Sequence, residues 1–384
     1  MPSLLTACRT APPCHHQAML SRADDYPIHQ TPEPIAVSGT DRNFYDRYFF
    51  SAQAPDGSAV VGVAMGIYPH LNIIDCAVSV LAGGEQHSLF ASRILHGERM
   101  NLRVGPVTLH VEEPLQRLRL AIAPNETGIA GELTFTGRAA PILEPRFIRR
   151  NGTRTLMDVT RMTQGGAWTG QISAAGVTHD LAGWRGTRDR SWGVRPIGAP
   201  DAQSPQPVTP PQFFWLWTPT AFDDWHLFFH SNDDEHGRPW NRAGVLVRLK
   251  DGAEFPLEDA RMALAFRPGS RHAGAARLEA RLQDGRPVTV DFRIGANFMM
   301  RGIGYGHPVR GHGMFQGPDV VSHELIELAG VDPANPINAH VQGLSEASLS
   351  IGGAAPLMGR GLFEQLAIGP HAPSGFKELF DLAG

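Results

Sequence analysis

Residues 184–196 read WRGTRDRSWGVRP, which places one carboxylate among four arginines and two tryptophans. If this segment is an extended strand, successive side chains alternate between its two faces. The alternation puts Trp184, Arg188, Arg190 and Trp192 on one face and Arg185, Thr187, Asp189 and Ser191 on the other. Asp189 would then face small neighbours, where a carboxylate can meet a ligand. A structural ion pair at a strand end gives the same pattern, so both interpretations stay open here.

The composition is typical of a soluble globular protein. The chain has 384 residues, 42% of them hydrophobic and 19% charged, a length that fits two domains of roughly 150 residues each. A formal net charge of -4, without clustered Lys and Arg, argues against a nucleic-acid partner. Cys8, Cys14 and Cys76 form neither a CxxC motif nor a paired framework, which argues against a disulfide-built secreted protein.

No stretch of the sequence predicts a membrane-spanning helix. The longest apolar run, at residues 59–68, is about half the length that a bilayer requires. The N-terminus also lacks the basic start and continuous apolar core of a signal peptide. We therefore expect a soluble, cytoplasmic protein, with peripheral membrane contact and the oligomeric state left open.

The chain alternates short β-rich runs with turns after an irregular start. Residues 1–39 are polar, proline-rich and without periodicity, and they are predicted to be a disordered or loosely attached leader. Residues 44–50 and 59–68 flank the turn Pro55-Asp56-Gly57, which is typical of a hairpin. Strands at intervals of about ten residues indicate a β-barrel or β-sandwich. A helical pattern is present only weakly, at Val320–Ala329 and at the C-terminus.

The most aromatic part of the chain is a predicted hairpin at residues 213–230. Its second arm places Trp225, Leu227 and Phe229 on one face and His226, Phe228 and His230 on the other. One face suits a core, and the other could line a cavity. No shared metal is expected for His226 and His230, because residues four apart on a strand are about 13 Å from each other.

Tryptophan is concentrated in one region, since six of the seven tryptophans fall between residues 184 and 240. A single tryptophan most often belongs to the core, but this density suggests a wide apolar cavity whose ring faces could stabilise a cation formed in a ligand. The sequence contains no GxSxG, GxxxxGK[ST], HExxH or strand-GxGxxG-helix motif. We therefore expect neither a cofactor nor a metal.

Residues 183–193, with the pattern Gly-x-x-x-x-x-Asp-Arg-Ser-Trp-Gly, resemble the Asp-His-Asn-Trp-Gly motif of the AttH-like and carotenoid 1,2-hydratase (hydroxyneurosporene synthase) proteins. The following Phe214-Trp215-Leu216-Trp217 also matches the pattern of that family. The chain departs from it at Arg190 and Ser191, where the family has His and Asn. It more closely resembles bacterial relatives that share NFYDRYFF, EPRF, RDRSWGVRP and FEQLAIGPH, found here at residues 43–50, 144–147, 188–196 and 363–371.

The resemblance implies an all-β fold of two tandem lipocalin-like antiparallel β-barrels, over residues 40–248 and 249–384. It also implies cofactor-independent chemistry on large apolar polyenes. Asp189 is then the expected acid, provided that burial raises its pKa more than the neighbouring arginines lower it. His226 is the second catalytic candidate. The substrate-binding candidates are Trp192, Trp215, Trp217, Arg190, Phe228, His230, Tyr48 and Tyr305.

Two classes of function are therefore predicted. The first is a cofactor-independent hydratase or dehydratase, isomerase or cyclase that acts on an isoprenoid-like or steroid-like substrate. The alternative is a non-catalytic binding protein or carrier for hydrophobic small molecules. Both require an apolar cavity, whereas a protein-interaction scaffold does not.

Overall fold

The computed structural model describes residues 20–29, 41–200 and 211–384, and the expected all-β class is confirmed over these ranges. Residues 1–19 and 30–39 of the predicted leader, together with residues 40 and 201–210, lie outside the described residues. Helical structure in the described ranges is limited to short 3-10 segments at Arg22–Asp25, Pro69–Leu71, Met300–Ile303, Leu328–Gly330, Pro336–Asn338 and Ala372–Ser374.

The first thirteen strands belong to one antiparallel sheet. They are β1 (Phe44–Gln53), β2 (Ala59–Tyr68), β3 (Ile73–Ala82), β4 (Glu85–Ile94), β5 (Arg103–Val104), β6 (Val107–Glu113), β7 (Arg117–Ile122), β8 (Ala130–Gly137), β9 (Ile142–Leu143), β10 (Phe147–Asn151), β11 (Arg154–Ala174), β12 (Val177–Asp180) and β13 (Arg185–Val194).

The remaining strands form a second antiparallel sheet, except for β22, which pairs with β4 of the first. They are β14 (Phe213–Trp217), β15 (Thr220–Phe222), β16 (Trp225–Asp233), β17 (Pro239–Arg248), β18 (Ala253–Pro256), β19 (Glu258–Phe266), β20 (Ala273–Arg281), β21 (Pro287–Met299), β22 (Asp319–Glu327), β23 (Val341–Ile351) and β24 (Leu357–Ile368). The weak helical pattern at Val320–Ala329 does not correspond to a helix, because Asp319–Glu327 is the strand β22 and pairs with β4.

The first sheet has the strand order β22-β4-β3-β2-β1-β13-β11-β8-β7-β6-β5 and curls around a single apolar core. Phe50, Phe135 and Trp168 meet edge to face in this core, with ring centroids 5.3 to 6.4 Å apart. Across the open side of the curl, the Arg93 guanidinium in β4 donates a 2.7 Å hydrogen bond to the carbonyl of Arg103 in β5. The sheet therefore encloses its own interior, as alternating inward-facing apolar residues require.

The second sheet has the order β18-β17-β16-β14-β24-β23-β21-β20-β19 and encloses a separate core. Its end strands β18 and β19 are joined by Leu257, whose amide donates to the carbonyl of Gly244 in β17. The predicted period of two in β16 is confirmed, because Leu227 and Phe229 belong to this core while His226 and His230 face away from it. The two-sheet, antiparallel architecture is thus as expected.

Strand pairing changes sheets earlier in the chain than the predicted domain boundary at residue 248. Phe213–Trp217 pairs with β16 and β24, so residues 213–248 form part of the second sheet. That the chain folds as two separate domains remains a proposal. We propose that their boundary lies between Val194 and Phe213.

Residues 20–29, which the sequence analysis assigned to the loose leader, are packed into the first sheet. Asp25 is fully buried and forms an ion pair with Arg188, while the Tyr26 carbonyl accepts a 2.9 Å hydrogen bond from Arg190. His29 stacks on Trp192 with ring centroids 3.6 Å apart. The leader prediction is corrected for this segment, because the inward arginines of β13 need these partners.

We expect Asp25→Ala to lower the free energy of unfolding by about 3 to 5 kcal/mol, because it leaves the buried Arg188 guanidinium without its carboxylate. Urea unfolding of the full chain measures this. Asp284→Ala, which breaks an exposed pair with Arg286, is the matched control and should cost less than about 1 kcal/mol. Equal losses in the two variants would show that the Asp25 pair does not stabilise the fold.

Candidate functional site

Strand β13 lies between β1 and β11, and its register places polar side chains in rows across the three strands. Ser191 lies opposite Arg47 in β1 and Arg161 in β11. Gly193 ends this pattern with a φ of +128°, and a Cβ there would lie 2.1 Å from the Asp158 carbonyl oxygen, so only glycine fits. The row of Arg47, Ser191 and Arg161 lies on the face of β13 that is turned toward the second sheet.

The second sheet presents an aromatic surface to this row. In β14, Phe213, Trp215 and Trp217 face the first sheet, because Phe214 and Leu216 are directed into the core of the second. Phe49 of β1 meets Trp217 edge to face, with ring centroids 5.9 Å apart. The strand alternation of β14 therefore supplies one wall of the space between the sheets.

A cavity of about 320 Å³ lies between the two sheets. Its apolar and aromatic lining comprises Tyr45, Phe147, Met157, Val159, Phe213, Trp215, Tyr305, Pro336, Ile337, Leu366 and Ile368. Its polar lining comprises Arg47, Arg161, Ser191, Arg195, Asn232, His340 and Glu364. This volume is at the small end of the range for ligand sites, and a mainly apolar wall with a few convergent polar groups is typical of such sites.

Arg161 covers the aromatic wall. Its guanidinium carbon lies 4.8 Å from the ring centroid of Phe147, 4.7 Å from that of Trp215 and 5.6 Å from that of Trp217. Its Nε donates a 2.9 Å hydrogen bond to Glu144, which also accepts from Thr163. The tryptophan faces that the sequence analysis offered to a substrate cation are therefore already in contact with a protein cation.

The buried Glu364 pairs with the partly buried His340 at the cavity wall. Glu364 accepts hydrogen bonds from His340 Nε2 at 2.8 Å, Trp215 Nε1 at 2.8 Å and Gln342 Nε2 at 2.6 Å. Burial opposes ionisation, but these donors outweigh it and lower the pKa of Glu364. Because Nε2 of His340 donates to the carboxylate, the neutral tautomer of this ring has its Nδ1 lone pair available as a base.

Tyr305 stands beside this pair. Its ring centroid is 4.8 Å from that of His340, and the Arg47 guanidinium carbon lies 4.9 Å from the same ring. Burial raises the pKa of Tyr305, although Arg47 and Arg195 act in the opposite direction. The phenol therefore stays protonated at neutral pH and can donate a hydrogen bond.

Asp189 lies in the same region but does not line the cavity. It is buried on the same face of β13 as Ser191, and its Oδ1 has no hydrogen-bond partner among the described residues. Burial raises the pKa of Asp189 to about 6, against the attraction of Arg47 and Arg161. The carboxyl therefore titrates close to neutral pH while it is shielded from direct contact with a ligand.

Two of the predicted site residues line the cavity, and two more lie next to it. Trp215 and Tyr305 are in its wall, and Trp217 is packed behind Arg161. His230 lies 3.4 Å from Glu144 and 6.0 Å, between ring centroids, from Trp215. Burial lowers the pKa of His230, so this ring is neutral.

Three predicted residues point into the first sheet instead. Arg190 forms a 2.7 Å ion pair with Asp46, and its guanidinium carbon lies 3.8 Å from the ring centroid of Tyr48. Trp192 stacks on His29 on the same side. Arg190, Tyr48 and Trp192 are thus separated from Asp189 by the thickness of the sheet, as the alternation of a strand requires.

His226 and Phe228 lie in a third place, between the sheets but away from the cavity lining. Their rings stack 5.9 Å apart, and the His226 ring packs on Gly165, where a Cβ would lie 2.6 Å from it. Burial, together with Arg138, lowers the pKa of His226 to about 3. A ring held neutral in this way, and remote from the cavity, does not share a reaction centre with Asp189.

Sequence reasoning missed most of the polar wall, namely Arg47, Arg161, Ser191, Arg195, His340 and Glu364. A signal for them was present in the four shared segments. NFYDRYFF contains Arg47, RDRSWGVRP contains Ser191 and Arg195, and FEQLAIGPH contains Glu364. EPRF contains Glu144 and Phe147, which hold Arg161. The four segments converge on one cavity, and of its polar lining Arg161, Asn232 and His340 lie outside them.

A family model described as "Family of unknown function (DUF8625)" matches residues 20–377. The chain belongs to this family. The match begins at residue 20, the first residue that the structure describes. No curated protein sequence matches the chain significantly.

Similar solved structures support the fold. A structure of an AttH-like protein from Nitrosomonas europaea is 12% identical, with a TM-score of 0.50, and the match covers 85% of this chain and 94% of that one. A structure of CghA with Sch210972 is 11% identical, with a TM-score of 0.51, and the match covers 86% and 89%. Kievitone hydratase from Nectria haematococca is 12% identical, with a TM-score of 0.45 over 84% and 88%. The first two confirm the AttH-like, lipocalin-like fold. No helix in the described ranges is long and apolar enough to cross a membrane.

We expect Asp189→Asn to stabilise the protein at pH 8 by on the order of 2 kcal/mol and to have little effect at pH 4. A carboxyl whose pKa is raised to about 6 in the folded state binds its proton more tightly there than in the unfolded chain. Its contribution is therefore present at low pH and is lost as the pH rises through about 6. Urea unfolding at the two pH values measures the difference.

The exposed Asp291→Asn is the control for this experiment and should change stability little at either pH. A destabilisation by Asp189→Asn at pH 8 would mean that the ionised carboxylate is a net stabilising partner of Arg47 and Arg161.

Proposed function

We propose that the protein is a cofactor-independent acid/base enzyme of the hydratase or dehydratase, isomerase or cyclase type, acting on a large apolar, isoprenoid-like or steroid-like substrate. The observation that carries this proposal is the pair of His340 and ionised Glu364 in the wall of an aromatic cavity of about 320 Å³. An oriented imidazole at a ligand cavity is the usual arrangement for general acid/base catalysis.

The chemistry that suits this arrangement is proton transfer next to a carbonyl group. His340 Nδ1 removes a proton from the carbon beside the carbonyl, and the C–H electron pair moves to give an enolate. Tyr305, as a protonated phenol, donates a hydrogen bond to the enolate oxygen. In a dehydration, the enolate then expels a β-hydroxyl group, which takes the proton from His340 and leaves as water. The reverse sequence is a hydration, and return of the proton to a different carbon is an isomerisation.

Glu364 makes this role of His340 feasible. The carboxylate holds the imidazole in one tautomer and stabilises the imidazolium that forms when Nδ1 takes a proton. Gln342 and Trp215 hold the carboxylate in turn, so the pair is fixed from both sides. Such support keeps the base within reach of a bound substrate.

Asp189 is proposed as a positioning residue rather than as the acid that touches substrate. It is buried behind the cavity wall, and it acts electrostatically on Arg47 and Arg161, which do line the cavity. Because its pKa is about 6, its charge changes in the range where an acid/base enzyme operates. This role differs from the expectation drawn from the family motif.

An enzyme is favoured over a carrier by the polar wall. A carrier of apolar molecules gains nothing from an ionised Glu364 and a paired histidine inside its ligand cavity, and buried charges oppose folding unless they are fully satisfied. Strongly perturbed ionisable groups around a cavity are more typical of catalysis.

We expect His340→Ala to abolish turnover while the protein stays folded. The test incubates the purified full chain with an apolar extract of bacterial cells and compares the extract before and after by untargeted mass spectrometry. The parent protein should change at least one species, by one water or without a change in mass. His340→Ala should lower that conversion by about 100-fold or more, because general acid/base catalysis contributes 10²- to 10⁴-fold.

His236→Ala, at an exposed histidine, is the matched control and should keep full activity. Conversion by His340→Ala at the parental rate would exclude His340 as the base. A species that copurifies in stoichiometric amount and is released unchanged would instead establish the carrier function.

A further inference from the structure

Two arginines in the cavity wall lack a carboxylate partner. Within the described residues, neither Arg47 nor Arg195 makes an ion pair within 4.0 Å, whereas Arg161 in the same cavity is paired with Glu144. The Nε atoms of Arg47 and Arg195 are buried without a hydrogen-bond partner. A largely buried guanidinium without an ion-pair partner is unfavourable, so one that lines a cavity points to a ligand that supplies the opposite charge.

The two guanidinium groups converge on one point. Both approach Nδ1 of His312, Arg195 at 3.0 Å and Arg47 at 3.5 Å, so their ends lie side by side. They also flank the Tyr305 ring, at 4.9 Å for Arg47 and 5.6 Å for Arg195. Two like charges held together repel each other unless an anion lies between them.

No carboxylate among the described residues pairs directly with either arginine, although Asp189 and Asp75 act on Arg47 electrostatically. His312 donates from Nε2 to the Ile303 carbonyl, and burial together with the two arginines lowers its pKa far below the usual range, so the ring is uncharged. Glu364 lies at the same cavity, but its hydrogen bonds go to His340, Trp215 and Gln342. Asp189 is buried behind the wall and forms no hydrogen bond to either arginine.

Much of the remaining lining is apolar and includes Met157, Val159, Phe213, Leu366 and Ile368. The cavity therefore combines two arginines that lack ion-pair partners with an apolar lining. Two further buried polar atoms of the lining, Ser191 Oγ and Asn232 Oδ1, also have no partner among the described residues. Unsatisfied polar atoms at a cavity wall are expected where a ligand completes the hydrogen bonds.

We infer that the substrate is an amphipathic carboxylic acid, whose carboxylate is bound by Arg47 and Arg195 and whose apolar body fills the rest of the cavity. This inference rests on the proposed function and narrows its substrate class. Paired arginines suit the planar carboxylate, because each guanidinium can donate two parallel hydrogen bonds to it. The carboxylate also fixes the direction of the substrate in the cavity, which a purely apolar molecule would leave unspecified.

The test compares a carboxylate with its uncharged analogue and needs no turnover. Decanoate and decanol compete at pH 8 with the neutral fluorophore N-phenyl-1-naphthylamine for the full-length protein. We expect decanoate to displace the fluorophore at a concentration at least about tenfold lower than decanol, because charge-assisted hydrogen bonds outweigh neutral ones. Arg47→Met and Arg195→Met should each reduce that preference by about tenfold and change decanol binding little.

Arg277→Met, at an exposed arginine, is the control for a general loss of positive charge and should keep the preference. Arg195→Lys should retain part of it, and thermal melting verifies that each variant is folded. If decanoate and decanol displace the fluorophore from the parent protein at equal concentrations, the inference is overturned. That result would not affect the proposed function, which the His340→Ala experiment tests separately. Failure of both probes and of the fluorophore to bind would overturn the inference and the proposed function together.

Discussion

The structure depends on one constraint: β13 is buried on both faces and carries charges on both. Arg188 and Arg190 point into the first sheet, and Asp189 points out of it toward the second. Buried charges need partners, and among the described residues the inward arginines have ion pairs whereas Asp189 has none. The inward arginines are paired by Asp25 and Asp46, and these pairs fix the register and tilt of the strand on which the cavity row is built.

The ion pairs on the inward face of β13 also determine which residues its outward face presents to the cavity. A slip of β13 by one residue would exchange its faces and put Arg190 in the cavity wall and Ser191 in the barrel core. The ion pairs of Arg188 and Arg190, together with the N-terminal segment that supplies Asp25, make that slip costly. The segment at residues 20–29 therefore acts on the site although it lies on the opposite side of the sheet.

The sequence pattern predicted the features that depend only on the local geometry of a strand. The alternation of β13 and of β16, the all-β class and the aromatic wall at Trp215 all follow from the period of a strand. The polar wall did not follow, because antiparallel pairing brings Arg47, Ser191 and Arg161 into one row from positions far apart in the chain. The same long-range pairing draws Val320–Ala329 out as a strand along β4, against its weak helical period. Trp192 and Arg190 were site candidates through the family resemblance, whereas the strand alternation placed them on the face opposite Asp189, where the structure has them.

The charge distribution also decides which reactions the cavity can favour. Aromatic rings stabilise a substrate cation only when their faces are free, and here Arg161 lies over Phe147, Trp215 and Trp217. Arg47 and Arg195 also line the cavity, where the substrate carboxylate inferred above would neutralise them. The occupied ring faces leave little free aromatic surface for a carbocation, whereas the Tyr305 phenol can donate a hydrogen bond to a developing oxyanion. The reaction proposed here therefore proceeds through an enolate, and the same lipocalin-like scaffold reaches hydration or isomerisation by removing a proton first rather than by adding one.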